Sequence, residues 1–206
     1  MSKVILITGG SSGIGKAIAT YLSENNNYIV YGSSRDLNKL ENTLFLPVKL
    51  DVTSEQSINE CVEKIIKDQG RIDVLINNAG VGITGPLEET PNVEIEKHFK
   101  TNLYGPINLI KTVLPYMRKN NSGLIINITS IAGHIGTPFR SIYSAGKSSL
   151  DIISETLNME TKDFNVKVVC VAPGDYLTNI SKGRFHSPVI DGSPYEFKYN
   201  SSLNKM

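Results

Sequence analysis

The sequence predicts an α/β fold: a doubly wound parallel sheet with helices on both faces. Three observations lead there. Short apolar runs alternate with longer amphipathic stretches six times along the chain, as expected of parallel strands joined by right-handed crossovers. The runs are continuous rather than alternating, as strands covered on both faces require. A Gly/Ser-rich turn directly follows the first run, at the carboxyl end of a strand, where such sheets bind ligands.

Each element has its own justification. The first strand is 4–7, all apolar. A helix follows over 14–25, with Ile14, Ala17, Ile18, Tyr21 and Leu22 at helical spacing, ended by three asparagines. Strands are expected at 28–31 and 44–48. Ser54 caps a helix whose Ile58, Cys61, Val62, Ile65 and Ile66 share a face, and Gly70 closes it. A fourth strand is expected at 73–76, then a polar loop with Pro86 and Pro91 and one long helix over 93–118. The fifth strand is 124–128, a helix spans 141–164, and the sixth strand is 166–171. Residues 175–206 are polar, without a clear period. No linker divides the chain and no repeat is visible, so one domain over 1–206 is expected.

Composition excludes several functions. The chain has 206 residues, enough to bury roughly 70% of its unfolded surface without disulfides or metal. Its 21 Lys+Arg are matched by 20 Asp+Glu, which leaves no electrostatic footprint for nucleic acid or anionic lipid. Cys61 and Cys170 are too few for a disulfide framework and read as small packing residues. His98, His134 and His186 read as surface or loop residues, and no metal is expected. The apolar runs are too short to cross a bilayer, and a strand pattern opens the chain with no cleavable signal. A soluble cytoplasmic protein is the expectation.

The turn after the first strand reads Thr8-Gly9-Gly10-Ser11-Ser12-Gly13-Ile14-Gly15. Glycine at 9, 13 and 15 permits positive φ, close approach to a pyrophosphate and close helix packing. The helix start adds free N–H groups and partial positive charge. The spacing is G-x-x-x-G-x-G rather than the commoner G-x-G-x-x-G.

Further motifs follow in order: Asp51-Val52, Asn77-Asn78-Ala79-Gly80, Asn102, Ser130, Tyr143-Ser-Ala-Gly-Lys147 and Pro173-Gly174. On these residues the chain, from Val4 to about Thr178, resembles the short-chain dehydrogenase/reductases. The resemblance implies a Rossmann-type sheet, a nicotinamide cofactor and hydride transfer to or from a carbonyl or alcohol carbon. Tyr143 and Lys147 are four apart and share a helix face. An ammonium beside a phenol favours the phenolate, so Tyr143 is the expected general acid/base. The resemblance implies that Lys147 also holds the nicotinamide ribose and that Ser130 bonds the substrate oxygen. It likewise implies that Asn102 distorts its helix to hold a water leading to Lys147.

The cofactor-binding set implied by the resemblance is Gly9, Ser11, Ser12, Gly13, Ile14, Gly15, Asp51, Val52, Asn78, Ala79, Gly80, Tyr143, Lys147, Pro173, Gly174 and Thr178. Asp51 is assigned to the adenine amino group and Thr178 to the carboxamide. At the end of the second strand Ser34-Arg35 stands where NAD enzymes usually carry a carboxylate. A guanidinium fits a phosphate with two parallel bonds, which favours NADP(H). Asp36 caps a short helix on this reading; a register two residues different would make it the NAD(H)-type carboxylate. The substrate lining is expected from 82–89, 134–140 and 176–194, with 175–206 as the substrate-loop region.

The family pattern continues with a further helix and a seventh parallel strand, which the sequence after Thr178 does not display. A chain incomplete at its C-terminus is therefore expected, with the sixth strand as an edge and a homo-oligomer in the full-length form. Two other classes stay open: a non-catalytic dinucleotide sensor, whose mark would be a lost Tyr or Lys, and an interaction protein that binds no dinucleotide.

Overall fold

The computed structural model describes residues 2–174 and 183–204. The strands are β1 (Lys3–Ile7), β2 (Tyr28–Ser34), β3 (Leu46–Lys49), β4 (Val74–Asn77), β5 (Ile83–Thr84), β6 (Gly123–Ile128), β7 (Val166–Val171) and β8 (Phe185–His186). The helices are α1 (Gly13–Ser23), α2 (Glu55–Gln69), α3 (Asn92–Phe99), α4 (Gly105–Lys119), α5 (Ser141–Glu160) and α6 (Glu196–Leu203). Six strands form one parallel sheet in the order β3-β2-β1-β4-β6-β7. The chain winds outward from β1 to one edge, returns to β4 and winds to the other. Its switch point therefore lies between β1 and β4, the place where such sheets open a ligand crevice.

Alternation within the apolar runs feeds two cores. Val4, Leu6, Leu75 and Ile125 face one side, against Ile58, Val62 and Ile65 of α2 and Leu109, Val113 and Met117 of α4. Ile5, Ile7, Val30, Val74 and Ile76 face the other, with Ala19 of α1, Leu40 and Phe45. Gly32 in β2 is needed there, because a Cβ would run into the Phe45 ring.

The expected sheet is present, and four local readings are corrected. The single helix over 93–118 is two helices joined by a widened π turn, Lys100–Tyr104. The 175–206 stretch is not structureless where described: β8 pairs in parallel with β5, and α6 follows. Those elements escape a periodicity search because β8 has two residues and α6 buries only Tyr199. Tyr199 anchors α6 by packing on Phe139 and donating to the Thr84 carbonyl at 3.1 Å. His98 is not a surface residue but is 1% exposed within α3, since α5 covers it. Cys61 is buried as expected; Cys170 is exposed because it lies on the edge strand β7.

Candidate active site

Thr8 leaves β1 and stitches the crevice together. Its Oγ1 accepts from the backbone N–H of Asn78 at 2.9 Å and of Ala79 at 2.8 Å. The Asn78 side chain returns a bond to the Thr8 carbonyl at 2.8 Å. The glycine loop is thereby pinned to the end of β4. Gly9 and Gly13 take φ of +71° and +55°, values that favour glycine. A Cβ on Gly15 would collide with the Asn78 amide and the Gly9 carbonyl. Ser12 caps α1 without using its side chain, and the first turn of α1 has no acidic residue. The helix start is thus an electropositive cradle suited to a pyrophosphate. The residues present fit a dinucleotide.

From this cradle a cleft of about 580 Å³ runs along the strand ends. It is lined by Gly9, Ser11, Ser12, Gly13, Ile14, Ser34, Arg35, Asp51, Val52, Asn78, Ala79, Gly80, Ser130, Tyr143, Lys147, Pro173 and Gly174. Gly15 and Asn102 support its wall from behind, through Asn78 and Val81 respectively. Thr178 lies outside the described residues. Lys39, which the sequence reading passed over, also lines the cleft close in sequence to Arg35. Asp36 caps the turn Leu37–Leu40, accepting from Asn38 N–H at 3.1 Å. Asp51 Oδ1 accepts from the Thr53 amide and hydroxyl at 2.9 and 2.7 Å. Burial pushes the Asp51 pKa up, but these bonds and the Arg35 charge outweigh it, leaving a carboxyl below its ordinary value.

At the other end of the cleft, α5 presents Tyr143 and Lys147. Lys147 is 5% exposed and its Nζ donates to the Ile128 carbonyl at 2.7 Å. Burial lowers its pKa to about 8, while Asp151 and Cys170 pull it back up. Ser130 caps a short 3-10 turn, its Oγ accepting from Ala132 N–H at 3.2 Å. That leaves the hydroxyl proton for another acceptor. Neighbouring Thr129 is buried, and its hydroxyl is bound to the Val171 carbonyl at 3.3 Å. Asn102 lies in the π turn and is 1% exposed. Its Oδ1 accepts from Val81 N–H and its Nδ2 donates to Val81 O, both at 2.8 Å. The amide therefore pairs with the loop after β4 as a strand neighbour would. The helix widens at this turn, a distortion often found at functional sites.

A second hollow of about 770 Å³ opens beside the cleft and shares Ser130, Arg140 and Gly174 with it. Its wall is largely apolar, with Ile131, Ile135, Pro138, Phe139 and Phe197. Of the stretch 82–89, only Gly82 and Ile83 line the cleft, because Thr84 turns inward to bond Phe139 O at 2.9 Å. α6 supplies lining beyond 194 that the sequence reading did not expect. Among the described residues no group of His, Cys, Asp and Glu could hold a metal ion.

Comparisons with known proteins agree with this geometry. The family model described as short chain dehydrogenase matches residues 3–188. A 3-ketodihydrosphingosine reductase from Bacteroides thetaiotaomicron is 47% identical over 182 residues, covering 88% of this chain and 67% of that protein. A short-chain dehydrogenase structure from Streptomyces avermitilis superposes with a TM-score of 0.90 at 32% identity, covering 100% of this chain and 77% of that one. The structure of ElxO with NADP bound superposes at 0.81 with 35% identity, covering 88% of this chain and 77% of that one.

Proposed function

The chain belongs to the short chain dehydrogenase family, and from that premise we propose that it is an NADP(H)-dependent oxidoreductase acting on the carbonyl or alcohol carbon of a lipophilic substrate. The observation that carries the reading is one continuous cleft. It runs from the glycine cradle to Tyr143 and Lys147 and then meets an apolar hollow at Ser130.

The roles follow from the contacts. Gly9 to Gly15 and the start of α1 would hold the pyrophosphate. Arg35 and Lys39 would face a 2′-phosphate, and the bound NADP of ElxO supports that choice; NAD(H) is the alternative. When bound, the nicotinamide supplies the hydride that adds to the carbonyl carbon, or accepts it in the reverse direction. Tyr143 gives its hydroxyl proton to the carbonyl oxygen during reduction and takes one from the alcohol during oxidation. Ser130 keeps its proton and donates a hydrogen bond from its hydroxyl to the same oxygen, stabilising charge as it develops. Lys147 is largely charged at neutral pH, so it favours the phenolate that remains. Asn102 holds the Val81 loop against the π turn, which packs on α5.

The apolar wall of the second hollow supports a lipophilic substrate, and so does the similarity to the 3-ketodihydrosphingosine reductase of Bacteroides. A homo-oligomer in the cytoplasm belongs to the same proposal. No helix among the described residues is long and apolar enough to cross a membrane. The test is NADPH oxidation with butanal, octanal and dodecanal. Each buried methylene contributes about 0.8 kcal/mol, so kcat/KM should rise at least about tenfold from butanal to octanal. A flat series, or no oxidation with any of the three, contradicts the reading.

A further inference from the structure

His98 is a buried histidine that the roles above leave unused. Three contacts surround it. Its ring centroid lies 5.8 Å from that of Tyr143, with the planes tilted by 57°. Asn102, one turn along, places its Nδ2 3.1 Å from the ring's Nδ1 and 3.2 Å from its Nε2. On α5, Gly146 makes room for the ring, since a Cβ there would come within 2.9 Å of His98 Nε2. Gly146 lies between Tyr143 and Lys147 in the sequence. The imidazole is therefore wedged between the proposed acid/base and the amide that ties the π turn to Val81.

We propose that His98 is a positioning residue, whose ring nitrogen accepts the second Asn102 amide proton and whose face buttresses the Tyr143 ring. Burial first, and then the Lys147 charge, push its pKa down to about 4, with the Val81 carbonyl pulling the other way. The ring is thus neutral at physiological pH and keeps one nitrogen as an acceptor. Asn102 needs that acceptor. Its first amide hydrogen goes to Val81 O, and at 1% exposure the second has no access to bulk water. An amide with an unmet donor has reason to shift, and with it the π turn that packs on α5. A displacement of about 1 Å at a reacting group can cost on the order of a hundredfold in rate.

This inference rests on Tyr143 being the acid/base, and the experiment separates the two. His98→Phe keeps a flat ring but loses the acceptor. His98→Asn loses the ring but keeps a side-chain acceptor facing Asn102. Both are assayed with dodecanal and NADPH, and turnover is expressed per NADPH-binding site counted by fluorescence titration, so misfolded protein does not enter the result. We expect kcat of His98→Phe to fall about tenfold, with the KM for dodecanal and the Kd for NADPH changed less than about twofold. His98→Asn should recover at least about threefold of that loss. A His98→Phe kcat within twofold of wild type, or a His98→Asn kcat no higher than that of His98→Phe, overturns the proposal. Tyr143→Phe is run in parallel. If it retains wild-type turnover, the reading of Tyr143 fails and takes this inference with it. If it abolishes turnover while His98→Phe changes nothing, only the inference about His98 fails.

Discussion

Replacing Thr8 with valine removes one oxygen and keeps the outline of a side chain that is 1% exposed. That oxygen accepts from two backbone amides, Asn78 and Ala79, at 2.9 and 2.8 Å. Leaving a buried donor unmet costs about 1–3 kcal/mol. Asn78 and Ala79 are half-buried, so water in the cleft recovers part, and the pair together should cost about 2–3 kcal/mol. For a domain of this size that is a melting-point drop of about 4–12 °C. Function should suffer too, because the same junction sets the glycine loop against β4. NADPH affinity should weaken about tenfold, roughly 1.4 kcal/mol. Thr8→Ser keeps the hydroxyl and should stay much closer to wild type on both counts. Thermal melts and NADPH fluorescence titrations of the two variants decide it. A Thr8→Val protein that melts within 1–2 °C of wild type, well below the drop expected for two lost bonds, and binds NADPH equally well would refute the role given to Thr8.

Three further outcomes are expected. Wild type should prefer NADPH to NADH, and the Ser34→Asp, Arg35→Ala pair should reverse that preference in steady-state assays, because a carboxylate repels a 2′-phosphate; a wild type that prefers NADH would shift attention to Asp36. Lys147 titrates near 8 when folded against an ordinary value of 10.5. Between those values the unfolded chain binds the extra proton, so the stability of the cofactor-free protein should rise with pH there, by up to about 1.4 kcal/mol per unit. Denaturant melts of Lys147→Met should show a flatter rise over that window, and an unchanged slope would contradict the assignment. In the edge strand β7, Val169 and Val171 share one face and are 42% and 48% exposed, and Lys167 is the strand's one charge. The 206-residue polypeptide alone should self-associate on size exclusion, less so as Val169→Lys, whereas a monodisperse, cooperatively melting protein would show the edge to be harmless.

What was legible in the sequence was local. The six core strands and the glycine loop are written in contiguous residues, so periodicity and turn chemistry find them. Tyr143 and Lys147 stand four apart on one helix, and Ser54, Asp36 and Gly70 cap the elements expected of them. What escaped depends on partners far along the chain. His98 looks like any helical histidine until α5 is laid over it. Thr8 gains its meaning from Asn78, 70 residues away. The π turn is invisible to helical periodicity, since it goes with Asn102 bonding Val81, 21 residues back; the family resemblance alone pointed to a distortion at Asn102. α6 has a single buried anchor, so its weak pattern was indistinguishable from a loop. Lys39 carries no motif of its own and reaches the cleft from the short turn Leu37–Leu40, which packs on β2.

In the proposed reaction Tyr143 handles the proton while the chain around it holds NADPH. The most direct test measures single-turnover NADPH oxidation with dodecanal, wild type against Tyr143→Phe, alongside NADPH titration of both proteins. The variant's rate should be lower by about 10²–10⁴, with NADPH bound as tightly as in wild type, since the cradle at Gly9 to Gly15 is untouched. A variant that keeps more than about a tenth of the wild-type rate, outside the range expected for loss of a general acid, would contradict it.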